Sequence, residues 1–507
     1  TFSSPETLYL YDNTTGEISE DPLTTYPTAK ISLSQRDQFV DNKLFEGGIN
    51  YTNTFNEKHD FSAMLVVNYQ DYRNRYMTGT NNDMAGKYPE VIGTATDSKL
   101  VGNEYFYQRA SLIGRFTYGY DNRYFIETSF RVDGSTKLPP DNRWGFFPTV
   151  SGAWVLSNES FFRSWDQPVI SNLKFRASTG ILGRDAVLTD YGYLMNYIYT
   201  TNSGYQIGGN FKPGIIPDPS SFPNPDLRWE KKKEFNVGLD MSVLDNRLNV
   251  TVDYYNRRTK DLLYTYTVPV PPNLYPSKFA NVGTIDNKGI EVTVNATPIS
   301  RKNFSWNLAA TISHNKNNLV KFSNEDYEMV QIQTGYFPDD LKMYTMRIVE
   351  GGSLGNFWGP KFLGFNDNGG AIYEDLDGVE GITEADYQVI GNAYPDVLLS
   401  LQNTFSYKQW SLSFLLRSSI GNDVLNQSRV YYEGFGYFGT RNILRSTLDH
   451  ANYKDGAYYS SRFVEDGSYL KLDNITLSYD FKLKSKVISK LRCYVTAQNL
   501  LTITGYN

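Results

Sequence analysis

The chain has one cysteine, Cys493, and three histidines in 507 residues. A lone cysteine excludes an internal disulfide. Its register with Val495 and Ala497 predicts a small packed hydrophobe rather than a reactive thiol. Zinc patterns of the CxxC or HExxH kind and phosphate-cradling glycine loops are missing, which removes the usual metal and nucleotide signatures. So is any run of about eighteen apolar residues, so no transmembrane helix is predicted. There is no basic excess: 49 Lys and Arg face 55 Asp and Glu, for a net charge of -6. Nothing therefore suggests a nucleic-acid footprint. No basic segment followed by an apolar one comes after Thr1, so the expectation is a removed signal peptide or a chain that begins mid-protein.

Aromatic residues, by contrast, are plentiful: 40 Tyr, 30 Phe and 7 Trp, or 15% of the chain. Tyr and Trp favour positions with one wet and one apolar end. Mean hydropathy is -0.46, as in many soluble proteins. A transmembrane barrel gives the same average, because it alternates apolar with polar residues.

Alternation is what the sequence shows. Phe235, Val237, Leu239, Met241 and Val243 are interleaved with Asn236, Gly238, Asp240 and Ser242. After Asp245-Asn246-Arg247 the pattern restarts with Leu248, Val250, Val252 and Tyr254. Similar stripes run through Phe61 to Tyr69, Tyr124 to Val132, Phe304 to Ile312, Trp410 to Leu416 and Ile475 to Phe481. This is strand periodicity, over roughly fifteen or sixteen strands, with no helical period sustained over three turns.

The connections come in two sizes. Short turns are expected at Gly119 to Arg123, Asp245 to Arg247, Ser300 to Asn303 and Tyr407 to Gln409. Long polar loops are expected near 73–104, 183–230, 260–287, 315–345 and 419–465. Soluble sandwiches rarely carry long structureless loops. Outer-membrane barrels have short periplasmic turns and long external loops. Phe235 to Leu244 would reach about 33 Å, or about 23 Å when tilted, close to an apolar band of about 25 Å. The fold expected is all-β, an antiparallel transmembrane β-barrel. Its inner wall would include Arg115, Glu127, Arg131 and Asp240. Lys231 to Lys233 would sit at a rim, and Trp229 would anchor the interface before its strand.

Three stretches invite chemistry. Gly351-Gly352-Ser353-Leu354-Gly355 fits the G-x-S-x-G nucleophile elbow, but Asn356 to Pro360 cannot start the helix that motif needs. A glycine-rich approach to a strand is the plainer reading, and no catalytic residue is assigned. Asp375 to Asp386 has the spacing of an EF-hand loop, with Asp375, Asp377 and Asp386 at positions 1, 3 and 12. Val379 stands where an oxygen is usual and Glu380 where glycine is usual. The loop is expected either to bind calcium or magnesium or to be a solvated acidic loop, and no other cofactor is expected. Finally, Phe357, Trp358, Tyr431, Tyr432, Phe435, Tyr437 and Phe438 are loop aromatics that could stack on a ligand or merely pack.

Eight segments resemble, in order, the SusC/RagA family of TonB-dependent outer-membrane transporters. They are RWGFFPTVSGAWVLSNESFF from Arg143, LKFRASTGILGRD from Leu173, FPNPDLRWEKKKEFNVGLD from Phe222 and FANVGTIDNKGIEVTVNATPI from Phe279. RIVEGGSLGNFWG from Arg347, ITEADYQVIGNAYPD from Ile382, YLKLDNITLSYDF from Tyr469 and YVTAQNLLTITGY from Tyr494 complete the set. The resemblance implies a barrel of about twenty-two strands, of which residues 1–507 would be the C-terminal portion. Plug domain, first strands and final strand are expected to be absent from this stretch. It also implies a Gram-negative, Bacteroidetes-like outer membrane and its lipid, a SusD-like surface lipoprotein, the TonB complex, and an oligosaccharide or peptide substrate. The alternative is a soluble or surface-attached β-rich glycan-binding or adhesin protein. A glycan-cleaving enzyme would want paired carboxylates across a cleft, and nothing in the sequence pairs them.

Overall fold

In a computed structural model the described residues are 2–3, 9–11, 18–20, 32–84, 95–165, 169–185, 188, 190–194, 197–217, 223–267, 277–323, 331–337, 343–433, 442–445, 458–483 and 487–506. Fourteen long strands and the short Phe2–Ser3 strand form one 15-stranded sheet. Every neighbouring pair in it is antiparallel, and the long strands follow chain order. The strand pattern and the two classes of connection therefore agree with the barrel reading.

Alternation sets the register. Val237 faces Tyr254 on one side and Ala177 on the other, and Leu239 faces Val252 and Phe175. All six are apolar, so one side of the sheet is a continuous apolar surface. The other side carries Lys174, Arg176, Asp240, Thr251 and Asp253. Tight turns reverse the chain where Asp or Asn accepts a left-handed backbone. Asp121 and Asn122 have φ of 54° and 52°, and Asp245 and Asn246 have 53° and 64°.

The apolar side is uncovered. Ile49 is 72% exposed, Ile126 54% and Phe235 47%. No second sheet stacks on them, so Val237, Leu239 and Phe304 meet no dry interior among the described residues. An exposed apolar band of this breadth is a membrane surface. The buried clusters lie elsewhere, in the strand ends and connections at one end. Leu138, Phe147, Leu188, Tyr193, Leu227, Trp229 and Leu263 form one, and Tyr266, Ala280, Leu319 and Phe322 another.

Three expectations are corrected. The regions 73–104 and 260–287 are largely strand: His59–Met84, Ala95–Tyr120, Leu248–Thr267 and Ser277–Arg301 continue through them. At about 3.3 Å per residue such strands outreach the apolar band and rise above the membrane. The upper parts of the first two are held by inward-facing rings, Tyr72 on Tyr107 at 4.9 Å and Tyr76 on Tyr105 at 6.1 Å. Trp229 is 6% exposed and sits in the loop core rather than at a lipid boundary. Its Nε1 donates to Arg143 O at 3.1 Å, and its ring meets Phe147 edge-on at 5.4 Å. Phe147 has room there because Gly145 and Gly183 lack side chains; a Cβ on either would strike its ring. Cys493 is on the apolar face as expected, opposite Tyr479, but exposed rather than packed.

Candidate functional site

The long connections gather at the end opposite the short turns. Between Phe304–Lys321 and Val397–Tyr407 the chain builds a four-stranded sheet from Gln331–Phe337, Met343–Val349, Asn356–Pro360 and Tyr387–Asn392. Gly351 to Gly355 form the turn into Asn356–Pro360, a strand and not a helix. Ser353 Oγ donates to Asn317 Oδ1 at 3.0 Å, so the hydroxyl pins a turn. That fits the plainer reading of the motif.

Asn356–Pro360 carries two of the predicted ligand aromatics. Phe357 is 6% exposed and offers no open ring face. Trp358 is half-buried, and the Arg347 guanidinium lies 4.7 Å from its ring centroid. With Gln333, Tyr344, Glu384 and Tyr387 they line a cavity of about 210 Å³. Arg347 also reaches Glu384 at 3.6 Å. Beneath, Tyr459 is fully buried and donates to Thr345 O at 2.7 Å. Burial and the neighbouring Tyr458 hydroxyl push the Tyr387 phenol above its ordinary range.

Tyr431 and Tyr432 end the short helix Gln427–Tyr432, in edge contact at 4.9 Å. Asn426 caps that helix by accepting from Arg429 N at 3.1 Å. Glu433, 2% exposed, then accepts from Arg429 at 2.9 Å and Arg462 at 2.8 Å. Arg429 also pairs with Glu465. This charge network fixes a segment whose buried apolar cluster, among the described residues, is Val430 and Phe463 with Met343 and Leu425 packed against them. Phe435, Tyr437 and Phe438 lie outside the described residues.

The acidic loop does converge. One oxygen each of Asp375, Asp377 and Asp386 lies within 4.8 Å of the others. Asp386, 1% exposed, accepts from Leu376 N and Thr383 N, both at 2.8 Å. Those two N–H groups hold its carboxyl below the usual range. Asp375 accepts from Gly378 N at 2.6 Å and Asp377 from Thr383 Oγ1 at 2.7 Å. Gly378 and Gly381, with φ of 75° and 103°, make the sharp bends that the missing glycine at Glu380 would have made. The three carboxylates suit a hard cation, but Val379 adds no side-chain oxygen to the six to eight that calcium takes.

Inside the wall, polar side chains are paired along and across strands. Arg109 grips Asp185 at 2.8 and 3.2 Å, and Ser135 donates to the same carboxylate at 2.7 Å. Arg109 and Asp185, with Arg131, Asp133 and Phe147, border a cavity of about 440 Å³. Arg131 salt-bridges Asp133 at 2.6 Å, Thr117 donates to Glu127 at 3.3 Å, and Arg176 bridges Asp240 and Asp253. Arg115 is exposed on the same side. Arg109 and Asp185 escaped sequence reading because they stand 76 positions apart.

A single antiparallel wall, greasy outside and ion-paired inside, with short turns at one end and folded loops at the other, defines an outer-membrane β-barrel. Residues 3–500 match the family profile described as TonB dependent receptor-like, beta-barrel. The chain belongs to the TonB-dependent receptor β-barrel family, in its SusC/RagA branch, and is a protein of the outer membrane. It is 30% identical to the TonB-dependent receptor SusC of Bacteroides thetaiotaomicron over 88% of its length and 45% of that protein's. It is 29% identical to TonB-dependent receptor P3 of Formosa agariphila over 92% of its length and 48% of that protein's. The chain thus spans about half the length of the curated relatives it matches. Its fold is that of the solved RagAB peptide transporter, at a TM-score of 0.81 and 22% identity, covering 94% of this chain and 53% of that one.

Proposed function

We propose that residues 1–507 form the C-terminal part of the barrel wall of a SusC-like, TonB-dependent importer of oligosaccharides or peptides. The rest of the wall and a plug would come from outside this stretch. The supporting observation is the built extracellular end: strands that rise past the membrane, and buried cores formed by their upper ends and the connecting loops. A surface lipoprotein of the SusD kind would close over this end and hold substrate against it. Withdrawal of the plug, driven by TonB and the proton gradient, would open the bore. The wall's part is binding and rigidity, with no covalent step.

Within that reading Trp358, Tyr431 and Tyr432 are the described aromatics that would touch substrate. The ring of Trp358 already meets a guanidinium, and Tyr432 is 40% exposed. Large, stiff rings give contact area at little entropic cost. Asp375, Asp377 and Asp386 would hold a calcium or magnesium ion that ties the loop down.

The test is a deletion strain grown on a panel of oligosaccharides and peptides, complemented with the full-length gene. Loss of growth on one substrate class, restored by the gene and abolished by collapsing the proton gradient, supports importer function. Growth unchanged on every substrate, or uptake indifferent to the gradient, contradicts it.

A further inference from the structure

The short turns at the periplasmic rim divide into two groups by charge. Three are balanced, Glu57 with Lys58, Asp121 with Arg123, and Asp245 with Arg247, and a fourth, 156–169, is net acidic, with Glu159 and Asp166 against Arg163. The remaining three carry Arg301 and Lys302, Lys408, and Lys482, Lys484, Lys486 and Lys490. No Asp or Glu occurs in 300–303, 407–409 or 481–491.

These three turns are neighbours. The strands they join are consecutive in the sheet. Lys408 N donates to Asn303 O at 2.9 Å, and Asp480 N donates to Gln409 O at 2.9 Å, so the turns form one row. The five that lie among the described residues, Arg301, Lys302, Lys408, Lys482 and Lys490, are exposed, and none has an ion-pair partner there. Asp480, the adjacent acid, is occupied by Arg492 at 2.6 and 2.7 Å.

The membrane side of this row is aromatic. Phe304 faces Tyr407, and Trp410 faces Tyr479, at the ends of their strands. Trp306 stacks on Phe405 at 5.6 Å, and Tyr479 meets Trp410 and Phe481 at 4.8 Å each. In the third turn Val487 is 93% exposed and Ile488 51%, between Lys482 and Lys490. Apolar tips flanked by lysines are the pattern of a segment lying in the headgroup layer.

We propose that this sector binds anionic glycerophospholipid of the inner leaflet, phosphates along the cation row and acyl chains down the aromatic wall. Charge complementarity selects the headgroup: each basic residue at an anionic surface contributes affinity, and a zwitterionic headgroup forfeits most of it. The girdle and the exposed Val487 and Ile488 favour a lipid over an acidic protein, which would leave those side chains in water. The idea needs only that this wall stands in the outer membrane and does not depend on the transported substrate.

The experiment uses the full-length protein in detergent, titrated with phosphatidylglycerol or phosphatidylethanolamine and read by native mass spectrometry. Wild type should retain phosphatidylglycerol in preference to phosphatidylethanolamine. The variant Arg301→Gln, Lys302→Gln, Lys408→Gln should lose that preference, by about fivefold in affinity per cation removed. The control Lys58→Gln, Arg247→Gln should keep it. Heat-modifiable migration checks that each variant is folded. A second readout needs no variant: brominated phosphatidylglycerol should quench wild-type tryptophan fluorescence more than brominated phosphatidylethanolamine. Equal binding of the two lipids, an unaltered triple variant, or an equal loss in the control overturns the proposal. So does a triple variant that still binds lipid but no longer retains an acidic periplasmic protein.

Discussion

The guanidinium of Arg176 lies across Gly238, its register partner on the next strand, and reaches Asp240 Oδ2 at 2.8 Å. It also holds Asp253 Oδ2 at 3.1 Å, on the strand beyond. A Cβ at Gly238 would come within 2.7 Å of both the guanidinium and Asp253. One arginine thus clamps three strands from inside the bore, and glycine is what lets it lie flat.

Gly238→Val should displace that clamp. Two carboxylates would face each other without their shared cation, at a cost of about 1–3 kcal/mol. The temperature at which the compact gel band of membrane-extracted protein converts to the unfolded one should fall. Arg176→Ala should do the same, and the double variant should cost little more than either single one. Full additivity would show that the two residues act separately.

Trp229→Ala should loosen the extracellular cluster and leave the wall intact. Removing a buried tryptophan costs about 3–5 kcal/mol, here confined to the contacts with Phe147 and Arg143 O. Hydrogen exchange should quicken in 223–229 and 136–143 but not in Tyr124–Ser135. Uniform loss of protection would contradict a separate core.

Protonation of Asp386 should free its loop. Its folded pKa is lowered, so its contribution is present above the unfolded carboxylate value of about 3.9 and lost as pH falls through the lower folded one. Amides of Leu376 and Thr383, corrected for intrinsic exchange, should be protected at neutral pH and unprotected in strong acid. Asp386→Asn should expose them at neutral pH. Protection unchanged in that variant would show that the backbone alone holds the turn.

Calcium should bind the same loop weakly. Three carboxylates without an oxygen at Val379 point to the range of about 10⁻⁴–10⁻³ M seen for extracellular modules. Titration calorimetry on the full-length protein should lose its signal in Asp375→Asn, Asp377→Asn. Identical heats in that variant would place any calcium elsewhere.

The membrane-spanning strands were legible because a strand with one apolar and one watery side needs strict alternation, as in Phe235 to Val243. Above the membrane that need ends. Arg73, Asn74 and Arg75 are polar on both faces, so their strand read as loop, though Tyr72 and Tyr76 hold it with rings from the next strand. Trp229 misled for a related reason: a rim position and a loop core favour the same side chain. Only Gly145 and Gly183, distant in sequence, make the space beside Phe147 that decides between them. The acidic loop was legible as a cluster because its carboxylates are local in sequence.

The most direct test is spin-label accessibility along Asn236 to Asp240 in reconstituted full-length protein, one cysteine at a time. Labels at 237 and 239 should collide with oxygen dissolved in lipid and be shielded from a water-soluble nickel reagent, with the reverse at 236 and 240. Labels at 237 and 239 shielded from both reagents would place those side chains in a protein core, and the membrane wall would be wrong.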